Sequence, residues 1–130
     1  MADTADPPTP QIGAEAYRGY RLIPVYRDST AAQRRAAIDF WLRHQAIVET
    51  CLAERRSHEL VYLALRLNAA PDKPLTEQIA GLTTVSLGRR TADGRNIYDL
   101  RIFIAPVDRI PFLMRELTNR TRDLLRNDRH

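Results

Sequence analysis

The chain has 130 residues, 44% of them hydrophobic and 28% charged, a length and mixture that suit one soluble domain with a single core. Its apolar runs are only a few residues long and it has one cysteine, Cys51, which excludes a membrane-spanning helix and an internal disulfide framework and fits a reducing cytoplasm. The net charge of +4 is carried almost wholly by arginine, since Lys73 is the only lysine, but acids interleaved with the arginines argue against a nucleic-acid-binding face.

Residues 1 to 16, rich in Pro, Asp, Thr and Ala, have neither the basic nor the apolar region of a signal peptide. They are expected to form a disordered tail, with a single domain over residues 17–130. A first strand is expected over Tyr20–Arg27, with Pro24 marking an edge or a bulge. Thr30 and Gln33 have capping-box spacing at the start of a helix. From Ala31 the apolar positions Ile38, Trp41, Leu42, Val48, Cys51 and Leu52 recur at helical spacing. The stripe skips a step near His44 and Gln45, which favours a bend and a helix pair. Leu60–Leu67 and Ile79–Leu87 read as strands separated by the proline-punctuated loop NAAPDKPLTEQ. The Asp93-Gly94 turn then leads into a fourth strand over Ile97–Ala105. A final helix over Arg109–Arg126 carries the stripe Ile110, Leu113, Met114, Leu117, Thr121 and Leu124. Its other side bears Arg115, Asn119, Arg122 and Arg126, a solvated basic face. The fold class is α+β: a mostly antiparallel sheet of about four strands, an N-terminal helix or helix pair, and one long C-terminal helix packed on it.

His44, Cys51 and His58 recur every seven residues, which invites a test for zinc. On a continuous helix each step rises about 10.5 Å, whereas zinc holds its ligands at about 2.0–2.3 Å. No metal site follows, and Cys51 is expected to be a small core residue. A nucleophile elbow, a Walker loop and a dinucleotide fingerprint are all absent from the sequence.

The segment LRIFIAPVDRIPFLMREL, Leu100 to Leu117, runs from a strand through a turn into an amphipathic helix. With EQIAGLTTVSL before it, and with the order strand, helix pair, three strands, helix, the chain resembles the GNAT family, the Gcn5-related N-acetyltransferases. The resemblance covers about residues 18–126. It implies an N-acyltransferase that moves an acyl group from acetyl-CoA or another acyl-CoA to an amine. The cofactor would lie against Phe103, Ile104, Arg109, Ile110, Phe112, Leu113 and Met114, with Tyr98 and Asp99 as the candidates for the general base that deprotonates the amine. Arg109 falls on the first position of the family's pyrophosphate motif, while Phe112 and Met114 stand on its two small-residue positions and Pro111 removes a donor. The loop is therefore degenerate. The family continues with a further strand and helix after this point, so the resemblance also implies a domain truncated after its third major helix, or completed by a partner. The fourth strand would then be an apolar edge. This leads to an alternative: a non-catalytic GNAT-like interaction module, or fragment, that forms a homo-oligomer through that strand.

Overall fold

Among the described residues five strands form one antiparallel sheet in chain order: β1 (Glu15–Tyr17), β2 (Tyr20–Pro24), β3 (Leu60–Arg66), β4 (Ile79–Arg90) and β5 (Asn96–Ile104). Helices α1 (Ala31–Arg43) and α2 (Thr50–Ser57) follow β2, a short α3 (Leu75–Gln78) precedes β4, and α4 (Pro111–Asn127) follows β5. The computed structural model describes residues 15–127. Among them, no helix is long and apolar enough to cross a membrane. The α+β class and the antiparallel meander agree with the sequence reading. The expected tail lies outside the described residues except for Glu15 and Ala16, which begin the fifth strand, β1. That strand is too short to show a periodicity. Its hairpin turn puts both Arg18 (φ 48°) and Gly19 (φ 92°) in the left-handed region, a two-residue geometry for which Arg-Gly is a weak sequence signal.

The two faces of the sheet hold separate cores because side chains alternate along each strand. Ile23, Leu63, Leu65 and Leu82 pack with Phe40, Trp41 and Ala53 of α1 and α2. Leu22, Ala64 and Ile104 pack instead with Leu113 and Leu117 of α4. The central strand β3 is buried on both faces and accordingly reads as the continuous apolar run LVYLAL. A bulge between Leu60 and Tyr62 adds one residue, which places Val61 and Tyr62 together in the α4 core. Under α4, the Thr83 and Thr121 hydroxyls bond at 2.8 Å, and Thr83 Oγ1 also accepts the Tyr62 N–H at 3.1 Å. These two buried polar side chains thus satisfy one another.

The expected capping box is present, with Gln33 N–H donating to Thr30 Oγ1 at 3.0 Å and Thr30 N–H to Gln33 Oε1 at 2.9 Å. The bend near His44 and Gln45 is a helix end. Gln45 is left-handed (φ 58°), its N–H donates to Leu42 O at 3.2 Å and that of Ala46 to Trp41 O at 2.9 Å. This is a Schellman closure with Gln in the place glycine usually takes. It resets the stripe, so two expectations are corrected: Val48 is 77% exposed, and Cys51 faces solvent while Ala53 and Ser57 are the buried residues of α2. In α4 the buried stripe is Leu113, Leu117 and Thr121, whereas Met114 is exposed. The first strand ends at Pro24 rather than Arg27, and α3 occupies part of the expected loop.

Candidate functional site

Chain reversal between β5 and α4 brings together residues from several elements. After Ile104 the chain makes a 3-10 turn, Pro106–Asp108, and enters α4 at Pro111. Asp108 is only 5% exposed. A buried carboxylate needs charged or donor partners to offset lost hydration. Arg66, at the end of β3, supplies Nε at 3.0 and 3.2 Å from the two carboxylate oxygens and also pairs through Nη2. Tyr20, at the start of β2, donates its hydroxyl at 2.9 Å. Arg66 Nη1 reaches on to Glu77 O at 2.9 Å. Burial, and then the bond to Asp108, push the Tyr20 hydroxyl pKa up. Asp108 thus clamps β2, β3 and the turn rather than capping α4 with its side chain.

On the α1 side, Phe103 lies 5.6 Å from the Phe40 ring and 5.8 Å from His44. Arg109 sets its guanidinium 5.4 Å from the Phe103 centroid and donates Nε to Ile104 O at 2.8 Å. Burial first, then the positive charges of Arg43 and Arg66, hold the His44 pKa below its ordinary value. At the front of α4 the backbone donors are turned inward. The N–H of Arg109 goes to Pro106 O (3.3 Å), that of Ile110 to Asp108 O (2.8 Å) and that of Leu113 to Ile110 O (3.3 Å), while Pro111 has none. An anion at a helix N-terminus needs donors that are uncommitted. Of the N–H groups of Arg109, Ile110, Phe112 and Leu113, three are bonded within the turn.

Phe103, Ile104, Arg109 and Ile110 are therefore gathered at one junction. Leu113 is in the core, while Phe112 (41% exposed) and Met114 (47%) face solvent. The Arg18 guanidinium sits 4.3 Å from the Phe112 ring centroid. Tyr98 and Asp99 lie farther back on β5. Asp99 is five residues from Ile104, about 16 Å along an extended strand, and alternation puts Tyr98 and Asp99 on opposite faces. The Asp108–Arg66–Tyr20 clamp escaped the sequence reading. Its one signal there is an arginine closing an otherwise apolar strand.

The second candidate is the outer edge of β5, which pairs with β4 and has no other strand neighbour among the described residues. Ala105 N–H donates to Ala80 O at 2.8 Å, and Arg95 O accepts the Thr91 N–H at 2.7 Å. Backbone groups alternate sides along an antiparallel strand, so odd-numbered residues face β4 and Tyr98, Leu100 and Ile102 turn theirs outward. Tyr98 is 48% exposed, Ile97 36% and Leu87, opposite Tyr98, 58%. Among the described residues no cluster of three His, Cys, Asp or Glu is placed to hold a metal ion. Compared with known protein families, with curated proteins and with solved structures, the chain matches none.

Proposed function

We propose that this chain is a non-catalytic GNAT-like interaction module that self-associates through the outer edge of β5. The observation that carries the reading is the outward row of backbone donors and acceptors at Tyr98, Leu100 and Ile102, beside exposed Leu87, Ile97 and Tyr98. Such an edge is a template for another strand. An exposed lone cysteine suits a reducing compartment such as the cytoplasm, where it stays a thiol. Sedimentation equilibrium from about 10 μM to about 1 mM tests the reading, a range that spans ordinary weak dimers. Leu100→Pro removes an outward N–H and spares the β4 ladder, so it should yield a folded monomer. A wild-type chain that stays monomeric throughout the range overturns the reading.

One observation favours a second reading: Arg109 stands at the β5–α4 junction with α1 and α2 on one face of the sheet and α4 on the other, a layout similar to the GNAT fold. In that reading Arg109 meets the pyrophosphate of an acyl-CoA. An amine nitrogen attacks the thioester carbonyl carbon, the C–S bond breaks to release CoA thiolate, and the amine proton passes to the Asp99 carboxylate, directly or relayed through water and the Tyr98 hydroxyl. Calorimetric titration of acetyl-CoA and of CoA decides it. The interaction-module reading expects no heat with ligand at about 1 mM. Heat that disappears in Arg109→Ala would replace it with acyl transfer.

A further inference from the structure

We propose that two copies of this chain join β5 to β5, antiparallel, about a two-fold axis through Leu100, so that Asp99 of each copy faces Arg101 of the other. The inference rests on the self-association proposed above and adds its register and the pair of residues that selects it.

Backbone geometry narrows the choices first. Because Tyr98, Leu100 and Ile102 turn their N–H and C=O groups outward, a two-fold partner strand must set even-numbered residues opposite even-numbered ones. With Leu100 opposite Leu100, all nine residues of β5, Asn96 to Ile104, find a partner. Sliding the axis to Asp99 sets Asp99 opposite Asp99. Sliding it to Arg101 sets Arg101 opposite Arg101. Moving it back to Tyr98 puts Arg101 against Arg95, and moving it on to Ile102 puts Asp99 against Ala105. Directly opposed like charges repel across a sheet and opposite charges attract. The axis at Leu100 is the one placement among these that opposes Asp99 and Arg101, and the symmetry makes the pair twice.

Side-chain chemistry agrees on both faces. Ile102 and Ile104 belong to the α4 core, which places Leu100 and Tyr98 on the same face. There Tyr98 meets Ile102 of the other copy and Leu100 meets its twin, an apolar seam flanked by exposed Leu87. Phe103 belongs to the α1 and α2 core, so Arg101, Asp99 and Ile97 share that face. There the two ion pairs form and Ile97 meets Phe103. Arg101 is already steadied on its own sheet by Nη1 donating to Ser86 Oγ at 3.0 Å, which commits one of its five donors.

Charge exchange tests the register in the full chain. Arg101→Asp puts two carboxylates opposite two more and should raise the dimer dissociation constant by at least about tenfold. Asp99→Arg combined with Arg101→Asp swaps the signs and should return it to within about threefold of wild type. With Cys51 replaced by serine, Leu100→Cys should form an intermolecular disulfide on mild oxidation. Residues on the axis would lie about 5.5 Å apart between Cα atoms, inside the roughly 4.4–6.8 Å a disulfide spans. Circular dichroism checks that each variant is folded; if Arg101→Asp unfolds, the swapped variant and the cross-link decide. A dimer indifferent to Arg101→Asp, or not recovered by the swap, overturns this register while leaving self-association standing. A wild-type chain monomeric at every concentration overturns both.

Discussion

The β5–α4 junction and the outer edge of β5 belong to one stretch of chain, yet they treat their backbone groups in opposite ways. At the junction the donors of Arg109, Ile110 and Leu113 are consumed by carbonyls two to three residues back, and Asp108 is clamped by Arg66 and Tyr20. Along the edge, Tyr98, Leu100 and Ile102 present theirs to whatever approaches. A strand entering a helix is not by itself an anion site. What matters is whether donors remain once the turn has satisfied itself. The segment that resembles a phosphate loop has most of its donors committed, and the segment that looks like ordinary sheet is open.

Four substitutions put that contrast to the test. The largest effect is expected from Asp108→Ala, which strips partners from Arg66 and Tyr20. Removing one side of a buried ion pair costs about 3–5 kcal/mol, and partial exposure of Arg66 puts this case near the lower end. Urea unfolding reads the loss, and the dimer constant should stay as in wild type because the edge is untouched. Gly81→Ala acts on the other region. A Cβ there would meet Ile104 Cγ1 at 3.0 Å and the Phe103 carbonyl oxygen at 3.1 Å, pushing β5 from β4. A loss of about 1–3 kcal/mol with a weaker dimer is expected, and an unchanged dimer constant would separate the edge from the ladder that supports it. Thr30→Ala removes the capping box of α1, remote from both regions, for about 1 kcal/mol. It should leave the dimer as it was.

The smallest effect is a pH dependence. His44 has its pKa below the ordinary 6.5, so the unfolded chain takes up this proton first as pH falls. Its contribution to stability is therefore complete above about pH 6.5, and declines as pH drops below that toward the folded value. The urea midpoint should fall between pH 7.5 and 5.5 by more in wild type than in His44→Gln, since carboxylates titrate mainly below this window. Equal slopes would remove His44 from the account.

Much of the architecture could be read from residues close together in the chain. Thr30 and Gln33 mark the start of α1, the skipped step at His44 marks its end, and the apolar stripe of α4 and the Asp93-Gly94 turn mark the last helix and hairpin. Each signal is local because caps, turns and amphipathic faces are chosen within one or two turns of backbone. The errors arose where a local pattern continued across a break. Cys51 and Val48 matched one long stripe, but the Schellman closure at Gln45 rotated what followed out of the core. Met114 matched the α4 stripe, yet the face of α4 buried on the sheet is centred on Leu113, Leu117 and Thr121, and Met114 lies off it.

The amino-acid sequence carries the α+β class, the element order, and the alternation along NIYDLRIFI that puts Asp99 two residues from Arg101 about a central leucine. It also determined that glycine would be missing from the turn before α4. What anchors that turn to the sheet is settled by long-range packing, because the Asp108 carboxylate is held by Arg66 and Tyr20, 42 and 88 residues away. Likewise, only the sheet order decided that β5 stands at an edge, since strand pairing joins residues far apart in the chain and no window of sequence records which side of a strand is left unpaired.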